Sequence, residues 1–331
     1  MIRVHKLRFR WVAAAVALIG SIALVRWGWV SPEVSDANCR LSKNGAWISV
    51  DWTSKPVDES AVRKLAEDAA ARRIRYIFPY ATYLRSDGTF NPTYEHAAEF
   101  VATFRHFNDQ ALLLAWIGIP LKSDSPLGVK GWVDLTDRAT RSKIVAFSAE
   151  LMKEGYFDGV HLNVETVHNN DPNFLLLLEE MRASIGPEYM ISVAGSHWTP
   201  AWLNEFPPRN FRWTDLYYRS VAERVDQIAT MTYDSYAPHS AIYRLWLREQ
   251  VRGIGGSLAH SGVELLWGIS VSREETLSHR PGVEDLSSGL AGICAGLAAL
   301  PQPNQAVRGV AIYADWEFTP TDQQTWNEWQ R

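Results

Sequence analysis

Cysteine is nearly absent: Cys39 and Cys294 are the only two in 331 residues. So wide a spacing excludes a zinc ribbon or finger, which needs closely spaced ligand pairs, and it excludes a disulfide-dense scaffold. Excess positive charge is missing too. The formal net charge is −4, and beyond the first ten residues lysine and arginine form no cluster, which argues against nucleic acid or another polyanion as partner. The first strand-like segment is followed by "SVDWTSKP" instead of a glycine-rich loop, which weighs against a doubly wound nucleotide-binding sheet. The segment 169–173 lacks the regular acidic spacing of a calcium loop. No metal or organic cofactor is implied, and oligomeric state is not readable from the sequence.

Long apolar runs are also missing, with one exception. Trp11 to Val25 carries no charge and follows Arg3, Lys6, Arg8 and Arg10. This is the layout of an export signal whose basic end stays in the cytoplasm. The run is short for a membrane-spanning helix and long for a signal peptide. Arg26 and "WGWV" stand where small residues would mark a cleavage site, and Trp27 and Trp29 suit a membrane interface. We therefore expect residues 1–30 to be a signal anchor in preference to a cleaved signal peptide, and residues 31–44 to be a linker. "SDAN" before Cys39 is unlike a lipobox. The rest of the chain is expected outside the cytoplasmic membrane, tethered by residues 11–30, or secreted if they are cut away. In such a compartment Cys39 and Cys294 either form one disulfide or remain two buried thiols.

What is present is a rhythm. Hydrophobic residues make up 47% and charged residues 21% of the chain, enough to fill a large core. Strand-like segments occur at 46–52, 74–84, 111–119, 159–165, 190–195, 227–234, 265–270 and 307–317, and segments with helical spacing lie between them. Asp58 and Asp137 are placed to cap helices, and Gly155 and Gly186 to end them. Eight alternations predict a (β/α)8 TIM barrel over residues 45–331.

Within "GYFDGVHLNVETVH" (155–168), Val160, Leu162 and Val164 alternate with His161, Asn163 and Glu165. A strand shows alternate residues to opposite faces. In a barrel the apolar set meets the helices, and the polar set climbs the interior to place Glu165 at the C-terminal mouth. Buried polar groups are costly unless paired, so such a ladder points to function or to a register-fixing network.

Here the residues resemble glycoside hydrolase family 18, the chitinases and endo-N-acetylglucosaminidases, whose fourth strand reads D-G-x-D-x-D-x-E. This chain reads Asp158-Gly159-Val160-His161-Leu162-Asn163-Val164-Glu165. "MTYD" (231–234), "LWGIS" on the seventh strand and "RGVAIYADWE" on the eighth extend the resemblance over about residues 45–330. The resemblance implies a glycosidase acting on an N-acetylglucosamine-containing glycan, be it peptidoglycan, chitin or N-glycan. Glu165 would be the general acid, with Asn163 and Tyr233 on the 2-acetamido group and Asp234 beside them. Attack by the substrate's own acetamide oxygen replaces an enzyme nucleophile in such a mechanism. Asp158, His161 and Met231 enter through the same motifs as expected substrate-binding residues. Tyr313, Trp316, Trp52 and Asp51 enter as expected lining of the same groove, the aromatic ones by stacking on sugar.

The departures bear on activity. His161 and Asn163 replace the inner two aspartates, the third strand lacks the family's serine, and Tyr313 falls where a tryptophan is usual. An amide cannot neutralise a cationic intermediate, although it can hold an acetamide by hydrogen bonds. The similar family 85 enzymes carry Asn-x-Glu. His161 could be a charged neighbour or a neutral relay. Two other functions stay open: a non-catalytic glycan-binding barrel at the cell envelope, and a two-carboxylate glycosidase pairing Glu165 with Asp51, Asp234 or Glu317. Trp198, Trp202 and Trp213 could rim a groove, and His168 and His197 could reach a ligand.

Overall fold

The computed structural model describes residues 39–122, 130–206, 211–300 and 304–331. The expected signal anchor and most of the expected linker lie outside the described residues. Among those described, no helix is long and apolar enough to cross a membrane.

Eight parallel strands close into one barrel in chain order, as the alternation predicts. They are β1 (Asn44–Ile48), β2 (Ile74–Tyr83), β3 (Leu112–Pro120), β4 (Gly159–Glu165), β5 (Met190–Gly195), β6 (Gln227–Thr230), β7 (Glu264–Ser270) and β8 (Val307–Tyr313). The main helices that follow them are α1 (Glu59–Ala71), α2 (Ala97–Phe107), α3 (Arg138–Gly155), α4 (Pro172–Ile185), α5 (Asp215–Ala222), α6 (Ser240–Ser257), α7 (Leu286–Leu297) and α8 (Pro320–Gln330).

Local chemistry sets the boundaries. Asp58 accepts from the backbone N–H groups of Ser60 and Ala61, and Asp137 from those of Ala139 and Thr140, so both cap as expected. Gly186 ends α4 with φ +81°. Gly155 does not end α3 by its own freedom, because the left-handed residue is Tyr156 at φ +56°. A Cβ at position 155 would lie 2.6 Å from the Phe157 ring, so this glycine makes room for packing. Three strands stop earlier than the sequence suggests. A single helical turn, Asp51–Ser54, follows β1, and a 3-10 turn, Asp315–Glu317, follows β8. Beyond β6, Asp234 and Tyr236 take positive φ, which a strand does not accommodate.

The barrel wall separates two apolar layers. Outside it, Val160, Leu162 and Val164 of β4 join Phe100, Phe104, Ile144, Leu177 and their neighbours from the helices. Each fully buried side chain of that size stabilises the fold by roughly 1.5–3 kcal/mol. Inside, Trp47, Tyr76, Phe78, Leu114, Trp116 and Leu266 fill the lumen, so it is a packed core, and chemistry is confined to the mouth.

Asn44 closes the ring. Its Oδ1 accepts from the Val310 N–H at 3.0 Å and its Nδ2 donates to the Arg72 carbonyl. Cys39 and Cys294 are joined as a disulfide that ties the segment ahead of β1 to α7.

Candidate active site

On β4 the polar ladder faces inward, as expected, but its three members do different things. His161 is fully buried between Trp47 and Phe78, with the Phe78 ring stacked on it at 4.2 Å. Trp47 Nε1–H donates to its Nε2 at 2.9 Å, and its Nδ1 lies 2.9 Å from Ser192 Oγ, which donates to Gln227. An indole N–H only donates, so Nε2 must be bare and Nδ1 must carry the single proton. Burial lowers the His161 pKa to about 3. Of the alternatives the sequence left, the neutral relay is the one built here, and it does not line the mouth.

Asn163 hydrogen-bonds Glu165, and its own Oδ1 is buried without a partner among the described residues. Such an acceptor is expensive to leave unmade. Burial raises the pKa of Glu165; the Asn163 hydrogen bond opposes that, and the charge on Asp234 raises it further. Glu165 forms a wall shared by two cavities. One, about 220 Å³, is lined by Val167, His197, Phe211, Trp213, Met231, Tyr233, Asp234, Tyr236 and Ser278 among others. The second, about 260 Å³, is lined by Tyr80, Tyr83, Gly118, Ile119, Pro120, Trp132 and Asn163.

Tyr233 and Tyr313 stack face to face at 5.0 Å under the mouth. Asp234 follows in a left-handed conformation. Its N–H and that of Ser235 donate to the two oxygens of Glu284 at 2.8 and 2.9 Å. Glu284 also meets His279 Nδ1 at 3.1 Å, and His279 Nε2 lies 3.2 Å from the Ser272 carbonyl. Both ring nitrogens face acceptors, as in an imidazolium. Burial works against that charge, but the hydrogen bonds to Glu284 and Ser272 prevail and the pKa is raised. For Asp234, burial and then the Glu284 charge raise the pKa, while His279 and Ser278 hold it down. Ligating atoms of Asp234, His279 and Glu284 lie within 4.8 Å of one another. Both Glu284 oxygens and both His279 nitrogens are already engaged, so the trio is an ionic network and not a cage awaiting a cation.

Glu165, Asn163, Tyr233, Asp234 and Met231 are thus brought together, with Tyr313 beside them. Trp316 is half exposed and meets Tyr313 edge-on at 5.7 Å. Four expectations need correction. Asp158 sits below β4, about 20 Å of strand from Glu165, where it binds Arg105 and the Leu113 N–H at 2.8 Å each and so fixes β4 against β3 and α2. His161 supports the wall from within the core. Asp51 is exposed and paired with Lys55 at 2.7 Å. Trp52 turns outward onto Phe100 of α2. Neither Asp51 nor Trp52 lines either of these two cavities, because β1 ends at Ile48 and the helical turn aims them elsewhere. Glu317 accepts from the Arg273 N–H, away from both cavities. Of the rim tryptophans, Trp213 is buried against the first cavity and Trp202 is exposed.

Sequence reasoning missed Tyr80, Tyr83, Trp132, Ser278, His279 and Glu284. Tyr80 was legible, since it shares inward parity with Tyr76 and Phe78. Tyr83 was not, because a register shift between Tyr80 and Thr82 sets it opposite Gly118, two residues above Trp116 on the inward face of β3.

By sequence, no family model and no curated protein matches the chain. Solved structures do match. The class V chitinase of Pseudomonas fluorescens Pf-5 is similar over 88% of this chain and 100% of its own, at 12% identity and a TM-score of 0.57. The Bacillus cereus spore cortex-lytic enzyme SleL is similar over 87% of this chain and 74% of its own, at 12% identity and a TM-score of 0.56. A class V chitinase of Nicotiana tobaccum, in complex with NAG4, covers 87% of this chain and 99% of its own, at 13% identity and a TM-score of 0.53. At such identities the likeness shows a shared fold: this chain is built as a (β/α)8 barrel similar to those of chitinases and a cortex-lytic enzyme.

Proposed function

We propose that the chain is a glycoside hydrolase acting on an N-acetylglucosamine-containing glycan with retention, assisted by the substrate's acetamide. One observation carries this: a carboxyl group with a raised pKa forms a wall shared by two cavities, next to a buried amide oxygen that lacks a partner among the described residues. A glycosidase needs sugar on both sides of its acid, and a protonated acid near neutral pH.

Glu165 would give its proton to the glycosidic oxygen as the bond to the anomeric carbon breaks. The acetamide oxygen attacks that carbon to close an oxazolinium ring. Water, deprotonated by the Glu165 carboxylate, then opens the ring and restores the acid. Asn163 Oδ1 suits the acetamide N–H, Tyr233 suits the acetamide oxygen, and the Asp234 charge compensates the cation that an amide at position 163 cannot. Tyr80, Tyr83 and Trp132 offer stacking faces across Glu165. The names of the structural neighbours, two chitinases and a cortex-lytic enzyme, support this substrate class, as does the NAG4 complex of one of them. The disulfide fits an oxidising compartment. We extend the proposal to a barrel held outside the cytoplasmic membrane by residues 1–30, with residues 31–44 as its linker.

Glu165→Gln should lower turnover of aryl chitobiosides or cell-wall fragments by about 10²–10⁴-fold. Undiminished turnover would refute the assignment. Asn163, where the resembled family has aspartate, favours a second function as a sugar-binding barrel. Calorimetric titration with chito-oligosaccharides beside an overnight hydrolysis assay separates the two, since binding without products supports the binder.

A further inference from the structure

We infer that His279 and Glu284 are positioning residues that clamp the loops after β6 and β7 together and hold the Asp234 carboxylate in the cavity wall beside Glu165. Neither side chain lines either of the two cavities beside Glu165, and both are nearly fully buried. Glu284 takes three hydrogen bonds from the loop after β6, through the N–H groups of Asp234 and Ser235 and the Ser235 hydroxyl. Its fourth partner, His279, belongs to the loop after β7 and fastens that loop to itself through the Ser272 carbonyl and Thr276 Oγ1. Ser278, next to His279, hydrogen-bonds the Asp234 side chain, and its carbonyl accepts from the Tyr236 N–H at 3.0 Å. The pair therefore fixes the left-handed turn that carries Asp234.

The charges around the pair run in one order. His279 faces Glu284 and Asp234. Glu284 is also felt by Tyr243 of α6 and by His197 from the loop after β5, and Tyr243 feels Asp285 as well. Burial lowers the His197 pKa to about 4, so that ring adds no charge near neutrality. Asp234 in turn acts on Glu165, Tyr233 and Tyr313. His279 thus acts on the acid at the mouth by way of Asp234. Removing His279 leaves Asp234 facing Glu284 uncompensated and moves its titration upward. Neutralising Glu284 removes the larger, anionic influence and moves it downward.

The inference rests on the proposed hydrolase for its kinetic consequence only, and the experiment separates the two. In the full chain, carboxyl ¹³C NMR titration of Asp234 and affinity for chito-tetraose are measured for the wild type, His279→Gln and Glu284→Gln, with kcat/KM against pH on an aryl chitobioside. Opposite movements of the Asp234 titration in the two variants are expected. Loss of about tenfold to a hundredfold in kcat/KM, the worth of one charged hydrogen bond, should accompany them. Should the variants fail to fold, the wild type still decides: its His279 ring must titrate above the ordinary histidine range. A neutral His279 at pH 6, or an Asp234 titration and ligand affinity unmoved in both variants, would overturn the inference. A wild type without turnover but with those NMR shifts would refute the hydrolase and leave the positioning pair standing.

Discussion

An acid flanks strand β4 from below and another ends it at the mouth, and the two have different surroundings. Asp158 at the bottom has a guanidinium on one oxygen and a backbone N–H on the other. Glu165 at the mouth has an amide beside it and an anion, Asp234, acting on it through space. The first arrangement ties secondary structure together. In the second, burial and then the Asp234 charge raise the pKa, with the Asn163 hydrogen bond opposing them. The two acids flanking one short strand thus differ in role: a cation and a backbone N–H secure the fold below, while burial and a nearby anion act on the carboxyl of the candidate site above.

The largest test of that contrast is Glu165→Gln, with turnover lowered as stated and thermal stability unchanged or raised, because a buried acid has been neutralised. A melting temperature that falls with activity would make Glu165 a structural group. Asp158→Asn should do the reverse, costing about 1–3 kcal/mol of stability in urea unfolding while leaving kcat in place. The buried histidine between the two ends gives a third test. Its folded pKa, about 3, lies below the value of 6.5 for the unfolded chain, so the unfolded state binds more protons between those limits. Its contribution to stability is lost as pH falls from about 6.5 toward 3. Urea midpoints should decline over that window, less steeply in His161→Gln. The smallest effect is expected from Asn163→Asp. A new carboxylate beside Glu165 raises its pKa, so the alkaline limb of kcat should move to higher pH. An unmoved limb would mean that residue 163 does not touch the reacting group.

Much of this was legible in the sequence because barrels impose parity. The apolar set Val160, Leu162 and Val164 could face only the helices, which left Glu165 inside at the mouth. The motif and the strand bounds also misled. The motif gave Asp158 the look of a site residue without saying that it lay below the strand, and a first strand read as 46–52 carried Asp51 and Trp52 past the point where β1 stops. What stayed hidden depends on loops and irregularities. His279 and Glu284 sit in "LSHRPGVEDL", where no period links one residue to the next and pairing arises only when two loops meet. Tyr83 reaches the second cavity through a slip in register that no alternation reveals. Cys39 and Cys294 gave a pair without a geometry, and the fold supplied the bond.

That bond changes how the barrel bears force. β1 is the seam strand, joined to β8 by a short register, Gly45 with Ala311 and Ala46 with Ile312. A pull on the chain upstream of Cys39 passes through sulfur into α7, a helix braced by α6 and α8, before it loads the hydrogen bonds of that seam. A force applied from the N-terminal side would thus be taken up by that helix before the cylinder could unzip.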